Sequence, residues 1–114
     1  MWTFDVAKKI YTLFSENGQR WEYPPIDFAQ TYYDLQDFGK LHSGLLFDIR
    51  DGKRDGGTII VKGKPGETNG EKQNIYEINA SILHRNKHGK PAVLLGIQRD
   101  ITDERGRLEN THKM

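Results

Sequence analysis

The chain has 114 residues, 35% apolar and 29% charged, with a net charge of +1 and no cysteine. That length suits one domain with a modest core of its own. The balance excludes disulfide staples, thiolate metal sites and cysteine nucleophiles, and it gives no whole-domain field toward nucleic acid or anionic lipid.

In chain order, "WTFDVAKKIYTLFS" reads as two short strands joined by "AKK". Trp2, Phe4 and Val6 alternate with Thr3 and Asp5, and Ile10, Thr12 and Phe14 alternate with Tyr11 and Leu13. No secretory leader is expected from this start, which has neither an apolar core nor a small-residue cleavage site. "ENGQRWEYPP" reads as a breaker, because Asn-Gly favours a turn and Pro24-Pro25 opposes regular structure. From Ile26 to about Lys53 the period becomes helical. Asp27 is expected to cap a short helix holding Phe28, Tyr32 and Leu35. Asp37 is expected to cap a longer one in which Phe38, Leu41, Leu45 and Ile49 recur. Gly39 and Gly44 weaken that helix by roughly 1 kcal/mol each relative to alanine, so it should depend on packing.

"RDGKRDGG" ends the helix, and "TIIVKGK" is the third strand. The loop "PGETNGEKQN" has a flexible composition. Ile75 to Arg85 alternates, with Tyr76, Ile78, Ala80 and Ile82 on one face and Glu77, Asn79, Ser81 and Leu83 on the other. "NKHGK" is a hairpin turn, and Ala92 to Thr102 is the fifth strand. Strands, then helices, then strands predict an α+β fold, an antiparallel sheet with the helices on one face. The longest apolar runs, "GLLF" and "AVLLGI", fall far short of the roughly 20 residues of a bilayer span, so none is expected.

Two stretches carry a family resemblance. "WTFD" resembles the first-strand W-x-x-D signature of PAS domains. "NKHGKPAVLLGIQRDITDER", with Gly89, Gly96 and Asp100-Ile101-Thr102, resembles the hairpin that ends the sensor-box type with its C-terminal PAC half. The resemblance implies a PAS-like five-stranded antiparallel sheet, with short helices between strands 2 and 3 packed on one face. It divides the chain into a sensor domain over 1–102 and, over 103–114, the start of a helical signalling linker or a disordered tail. It also implies a cytoplasmic sensory domain of a multidomain protein, a sensor histidine kinase of a two-component system foremost. Ligand binding or dimer packing would then be coupled to an effector domain in the same parent chain. Arg99, Asp100, Ile101 and Thr102, at the strand-to-linker junction, are the expected transmission contacts.

The resemblance further places Leu94, Gly96 and Gln98 on the inner face of the last strand. Gln98 looks like the glutamine that flavin-binding members set against their isoalloxazine ring. The same parity turns Glu77, Asn79 and Ser81 inward. With Leu45 from the helix, these residues would line a pocket for a small polar ligand, because unpaired buried polar groups cost about 1–3 kcal/mol each. In the opposite parity Tyr76, Ile78, Ala80 and Ile82 form the core and the polar trio faces solvent. In a third arrangement Tyr76, Ile78 and Ile82, with Val93, Leu95 and Ile97, make an apolar outer sheet face for a partner, including a second copy.

His42 lies in "KLHSGLLFDIR", on the helix from which haem-binding PAS sensors take an axial ligand. A helical histidine bordering an apolar stripe is more commonly structural, and neither haem nor flavin is expected; no cofactor is required. His84 and His88 straddle a turn, so their i, i+4 spacing makes no metal site. No serine sits in a nucleophile motif, and no catalytic residue is expected. The rival functions are a ligand-free interaction module and a small α+β enzyme with Glu77 or His42 as base.

Overall fold

In the computed structural model, which describes residues 1–64 and 73–102, the chain is an α+β fold built on one antiparallel sheet of six strands. The elements are β1 (Trp2–Asp5), β2 (Ile10–Phe14), β3 (Arg20–Tyr23), α1 (Pro25–Tyr32), α2 (Leu35–Gly39), a π-helical segment (Lys40–Leu46), α3 (Phe47–Arg50), β4 (Gly56–Lys62), β5 (Ile75–Arg85) and β6 (Pro91–Asp100). The sheet runs β3-β2-β1-β6-β5-β4. The expected linker or tail over 103–114 and most of the loop "PGETNGEKQN" lie outside the described residues.

The sixth strand corrects the expected five. The turn at Asn17-Gly18, with Gly18 at φ 86°, reverses the chain immediately, and Arg20–Tyr23 pairs back on β2 through Tyr11↔Tyr23 and Leu13↔Trp21. The breaker signal belongs to the turn alone. Pro25 does not forbid structure either. It opens α1, where its missing N–H falls on a position with no intrahelical acceptor.

The helix caps are also displaced from expectation. Asp27 sits inside the first turn of α1. Asp34, rather than Asp37, caps α2 by accepting from the Asp37 amide at 3.1 Å. Asp37 is thereby free to turn its other function outward, accepting the Lys62 amide at 2.8 Å and tying α2 to the edge of β4.

The core lies between one sheet face and the helices. Trp2, Phe4, Tyr11, Val61, Ile78, Ala80 and Leu94 come from strands; Phe28, Phe38, Leu41, Leu45, Leu46 and Ile49 come from the helical stretch. A plain α-helix with the 38-41-45-49 spacing would not turn Leu45 and Leu46 inward together so readily. The wider π turn accommodates both.

The β5–β6 register settles the parity. Ile78 opposes Gln98, Ala80 opposes Gly96 and Ile82 opposes Leu94, and directly opposed residues share a face. Leu94, Gly96 and Gln98 are therefore inward, as expected. Glu77, Asn79 and Ser81 are outward, against the pocket expectation, opposite Arg99, Ile97 and Leu95. The two inward sets of the sequence reading cannot coexist in one ladder. The third arrangement is divided: Val93, Leu95 and Ile97 face out, while Tyr76, Ile78 and Ile82 face the helices.

Candidate functional site

The site forms where the start of β1 meets the last third of β6. Trp2 opposes Gly96, and a Cβ at Gly96 would overlap the six-membered ring of the indole. The missing side chain is what lets the Trp2 ring lie flat against the sheet. Trp2 is only 1% exposed, and its Nε1 is buried without a hydrogen-bond partner among the described residues. A buried, unsatisfied donor is costly, on the order of 1–3 kcal/mol, and is uncommon in folded proteins.

Three tyrosines complete the surroundings. The chain leaves α1 at Tyr33, whose hydroxyl donates to Gln98 Oε1 at 2.5 Å, while Tyr32 and Tyr23 join hydroxyls at 2.9 Å. Burial pushes the Tyr33 hydroxyl well above its ordinary pKa, against an opposing pull from the nearby Trp2 indole N–H, which stays outside hydrogen-bond geometry; Tyr33 is therefore protonated and donates. Burial, then the bond to Tyr23, pushes Tyr32 up to about 12. With its oxygen engaged by Tyr33, Gln98 presents amide N–H groups as its remaining polar function. Met1, Trp2, Leu13, Phe28, Tyr32, Tyr33 and Gln98 line a cavity of about 110 Å³. That space takes water or a molecule of a few heavy atoms.

Of the pocket residues read from sequence, this cavity uses Gln98 alone. Leu94 and Leu45 are buried in the core without lining it. Glu77 pairs with Arg99 at 3.5 Å on the outer face, Asn79 reaches Thr58 at 3.4 Å, and Ser81 borders a shallow surface hollow with Asp55 and Arg85. Tyr33, the partner of Gln98, was missed. The adjacent tyrosines at the end of a short helix were its only signal, since a buried tyrosine hydroxyl ordinarily finds a partner.

His42 belongs to a second cavity. Its Nδ1 lies 2.5 Å from the hydroxyl of Tyr11; its ring stacks on Phe38 at 5.5 Å and meets Phe4 edge-on at 5.3 Å. The tautomer that satisfies both groups has Tyr11 donating to Nδ1 and the ring proton on Nε2. The reverse would leave the hydroxyl hydrogen of a fully buried tyrosine unpaired. Phe4, Val6, Lys9, His42, Phe47 and Arg50 line a cavity of about 290 Å³. This is just below the roughly 300–1,000 Å³ of ordinary ligand sites, and two cations stand in its wall.

Burial, then the positive charge of Arg50, holds His42 below the ordinary imidazole pKa. A folded-state value below the unfolded one means the unfolded chain takes up a proton first as the solution is acidified. The stability that a neutral His42 contributes is therefore complete above about pH 6.5 and is lost as the pH falls through and below that value. Urea midpoints between pH 7.5 and 5 should fall in the wild type, with a smaller fall in His42→Phe. An equal fall in both would place the dependence elsewhere.

The junction residues are held tightly. Asp100 Oδ1 accepts from the Thr102 amide at 3.0 Å and its hydroxyl at 2.6 Å, bonds that keep the Asp100 carboxyl below the usual range. Thr102 Oγ1 accepts the Ile75 amide at 2.9 Å, and the Ile101 amide returns to the Ile75 carbonyl at 2.9 Å. Ile101 is buried. The end of β6 is thus clamped to the start of β5 by both main chain and side chain.

Among the described residues no cluster of three or more His, Asp or Glu could hold a metal ion, and no helix is long and apolar enough to cross a membrane. Compared with known proteins, the chain matches no family model, no curated protein and no solved structure.

Proposed function

We propose that this chain is a sensory or regulatory domain of PAS type, without catalytic activity of its own, from a cytoplasmic multidomain signalling protein. The resemblance favours a sensor histidine kinase as that parent. In this reading the Trp2–Tyr33–Gln98 cavity takes a small polar ligand, and its occupancy is passed along β6 to the segment after Thr102. The observation that carries it is the position of Gln98: its side chain closes the cavity, and Asp100, Ile101 and Thr102 follow directly in the clamped junction. A ligand in this cavity acts on the junction only through its different affinity for two arrangements of β6.

Native mass spectrometry of the freshly purified protein tests the reading, together with amide exchange. A retained small mass, absent from Gln98→Leu, is expected, with altered exchange at the Ile75 and Ile101 amides when it is removed. Exchange at those amides that ignores cavity occupancy would sink the transmission role. Absence of any retained or added small-molecule occupant would sink the sensor role.

A second reading, an interaction module with no ligand, has one observation in its favour. The outer sheet face carries Leu95, Ile97 at 54% exposed and Ile60 at 43% exposed. Concentration-dependent dimerisation abolished by Ile97→Lys would favour it, with a second copy as the partner.

A further inference from the structure

The cavity beside His42 has a composition that the sensory reading does not use. Its floor is apolar, formed by Phe4, Val6 and Phe47. Its polar wall consists of the His42 ring, Lys9 and Arg50, with no carboxylate among the described lining residues. The acidic neighbours in sequence, Asp51 and Asp5, are both engaged, Asp51 with Arg50 itself. Asp51 pairs with the guanidinium of Arg50 at 2.9 and 3.2 Å, and Asp5 accepts the Lys8 amide at 2.9 Å.

These groups are also held in position. Arg50 lies over the Phe47 ring with its guanidinium carbon 4.0 Å from the centroid, while Asp51 fixes two of its nitrogens, leaving its remaining N–H groups to point elsewhere. Tyr11 fixes His42 through Nδ1, so that Nε2–H is the donor left to the cavity. Lys9 adopts a left-handed backbone with φ 57°, which ends the β1–β2 turn and sets its chain at the cavity rim. The Lys9 amide bonds to the Asp5 carbonyl at 2.8 Å, which locks that turn. A guanidinium with N–H groups left over from its pair with Asp51, a lysine at the rim and a neutral donor around an apolar floor complement a compact apolar body bearing a single anionic head.

We propose that the Phe4–His42–Arg50 cavity is a binding site for a small organic acid, a monocarboxylate with an aromatic or branched aliphatic body. The carboxylate sits between Arg50 and Lys9 with one oxygen toward His42 Nε2–H, and the hydrocarbon rests on Phe4, Val6 and Phe47. The site is separate from the Trp2–Gln98 cavity and does not depend on the sensory reading, since the two share no lining residue.

The test is an amide-resolved NMR titration of the intact chain with benzoate and with 3-methylbutanoate, each against its neutral amide, and with inorganic phosphate. Saturable shifts at Val6, Lys9, His42, Phe47 and Arg50 are expected for at least one acid. Its amide should bind about tenfold or more weakly, as should either acid to Lys9→Gln or Arg50→Gln. Both variants change exposed or half-buried side chains, and the unshifted spectrum of each reports whether the fold is intact. Binding that is equal for acid and amide, or equal for phosphate and acid, would overturn the proposal. So would the absence of saturation by either acid at about 20 mM, well above the roughly millimolar affinity of a weak but specific site.

Discussion

Phe28→Ala should lower the folding free energy by about 3–5 kcal/mol, the largest loss expected of any single truncation in this chain. Phe28 is almost wholly buried, and its ring is the hub of an aromatic cluster. It stacks on Tyr11 at 4.5 Å and 13°, and stands edge-on to Trp2 at 6.0 Å, Tyr32 at 5.5 Å, Tyr33 at 5.5 Å and Phe38 at 6.2 Å. Removing it deletes both the transfer term and several ring contacts, each worth about 0.5–1.5 kcal/mol beyond area. The hole cannot close easily, because α1 carries Phe28 on one side while β1 and β2 hold Trp2 and Tyr11 on the other. It would also merge with the existing cavity of about 110 Å³, which Phe28 helps to line. Against a typical total of about 5–15 kcal/mol, such a loss leaves a domain that is marginal at physiological temperature. Urea denaturation checks it, with Phe28→Leu as the control, expected to cost less than half as much. A loss below about 1 kcal/mol for the alanine variant would mean that the cluster relaxes far more than its packing indicates.

What the sequence made legible follows from how locally each feature is determined. The alternation of Tyr76, Ile78, Ala80 and Ile82 revealed β5 but not which of its faces is buried, and "NKHGK" revealed the hairpin that follows, because both are set within a few residues. Periodicity placed Phe38, Leu41, Leu45 and Ile49 on one helical face, and all four are buried. It could not show the π turn, which adds a residue where packing favours two neighbouring leucines inside, Leu45 and Leu46. β3 was hidden by stronger punctuation on both sides: a Gly18 turn before it and a proline pair after it. The relation between faces of β5 and β6 was the costliest gap. Each strand taken alone supports either parity, and only the pairing of Ile78 with Gln98 decides. The Tyr33–Gln98 bond joins residues 65 positions apart, and no local pattern announces such a contact.

Gly96→Ala is the substitution where that long-range pairing should be felt most directly. The glycine is not required for its backbone angles; the space its side chain would fill is occupied by the Trp2 indole. Trp2 cannot retreat, since Tyr11 stands edge-on to it at 5.3 Å and Phe28 at 6.0 Å. Overpacking of this kind costs about 1–3 kcal/mol, and the confinement of the ring places the expected value at the upper end. The atoms in the way belong to the six-membered ring of the indole, which phenylalanine does not place there. Trp2→Phe also removes the buried Nε1 that lacks an acceptor among the described residues. Gly96→Ala should therefore cost about 3 kcal/mol with Trp2 present and about 1 kcal/mol beside Trp2→Phe, a coupling of about 2 kcal/mol in a double-mutant cycle. Equal costs in the two backgrounds would show that the sheet yields instead of the indole. A smaller residue at position 2 accommodates the new methyl group but gives up the indole that lines the cavity. The pairing of Trp2 with Gly96 thus ties the tightness of the fold at this point to the chemistry the cavity can offer.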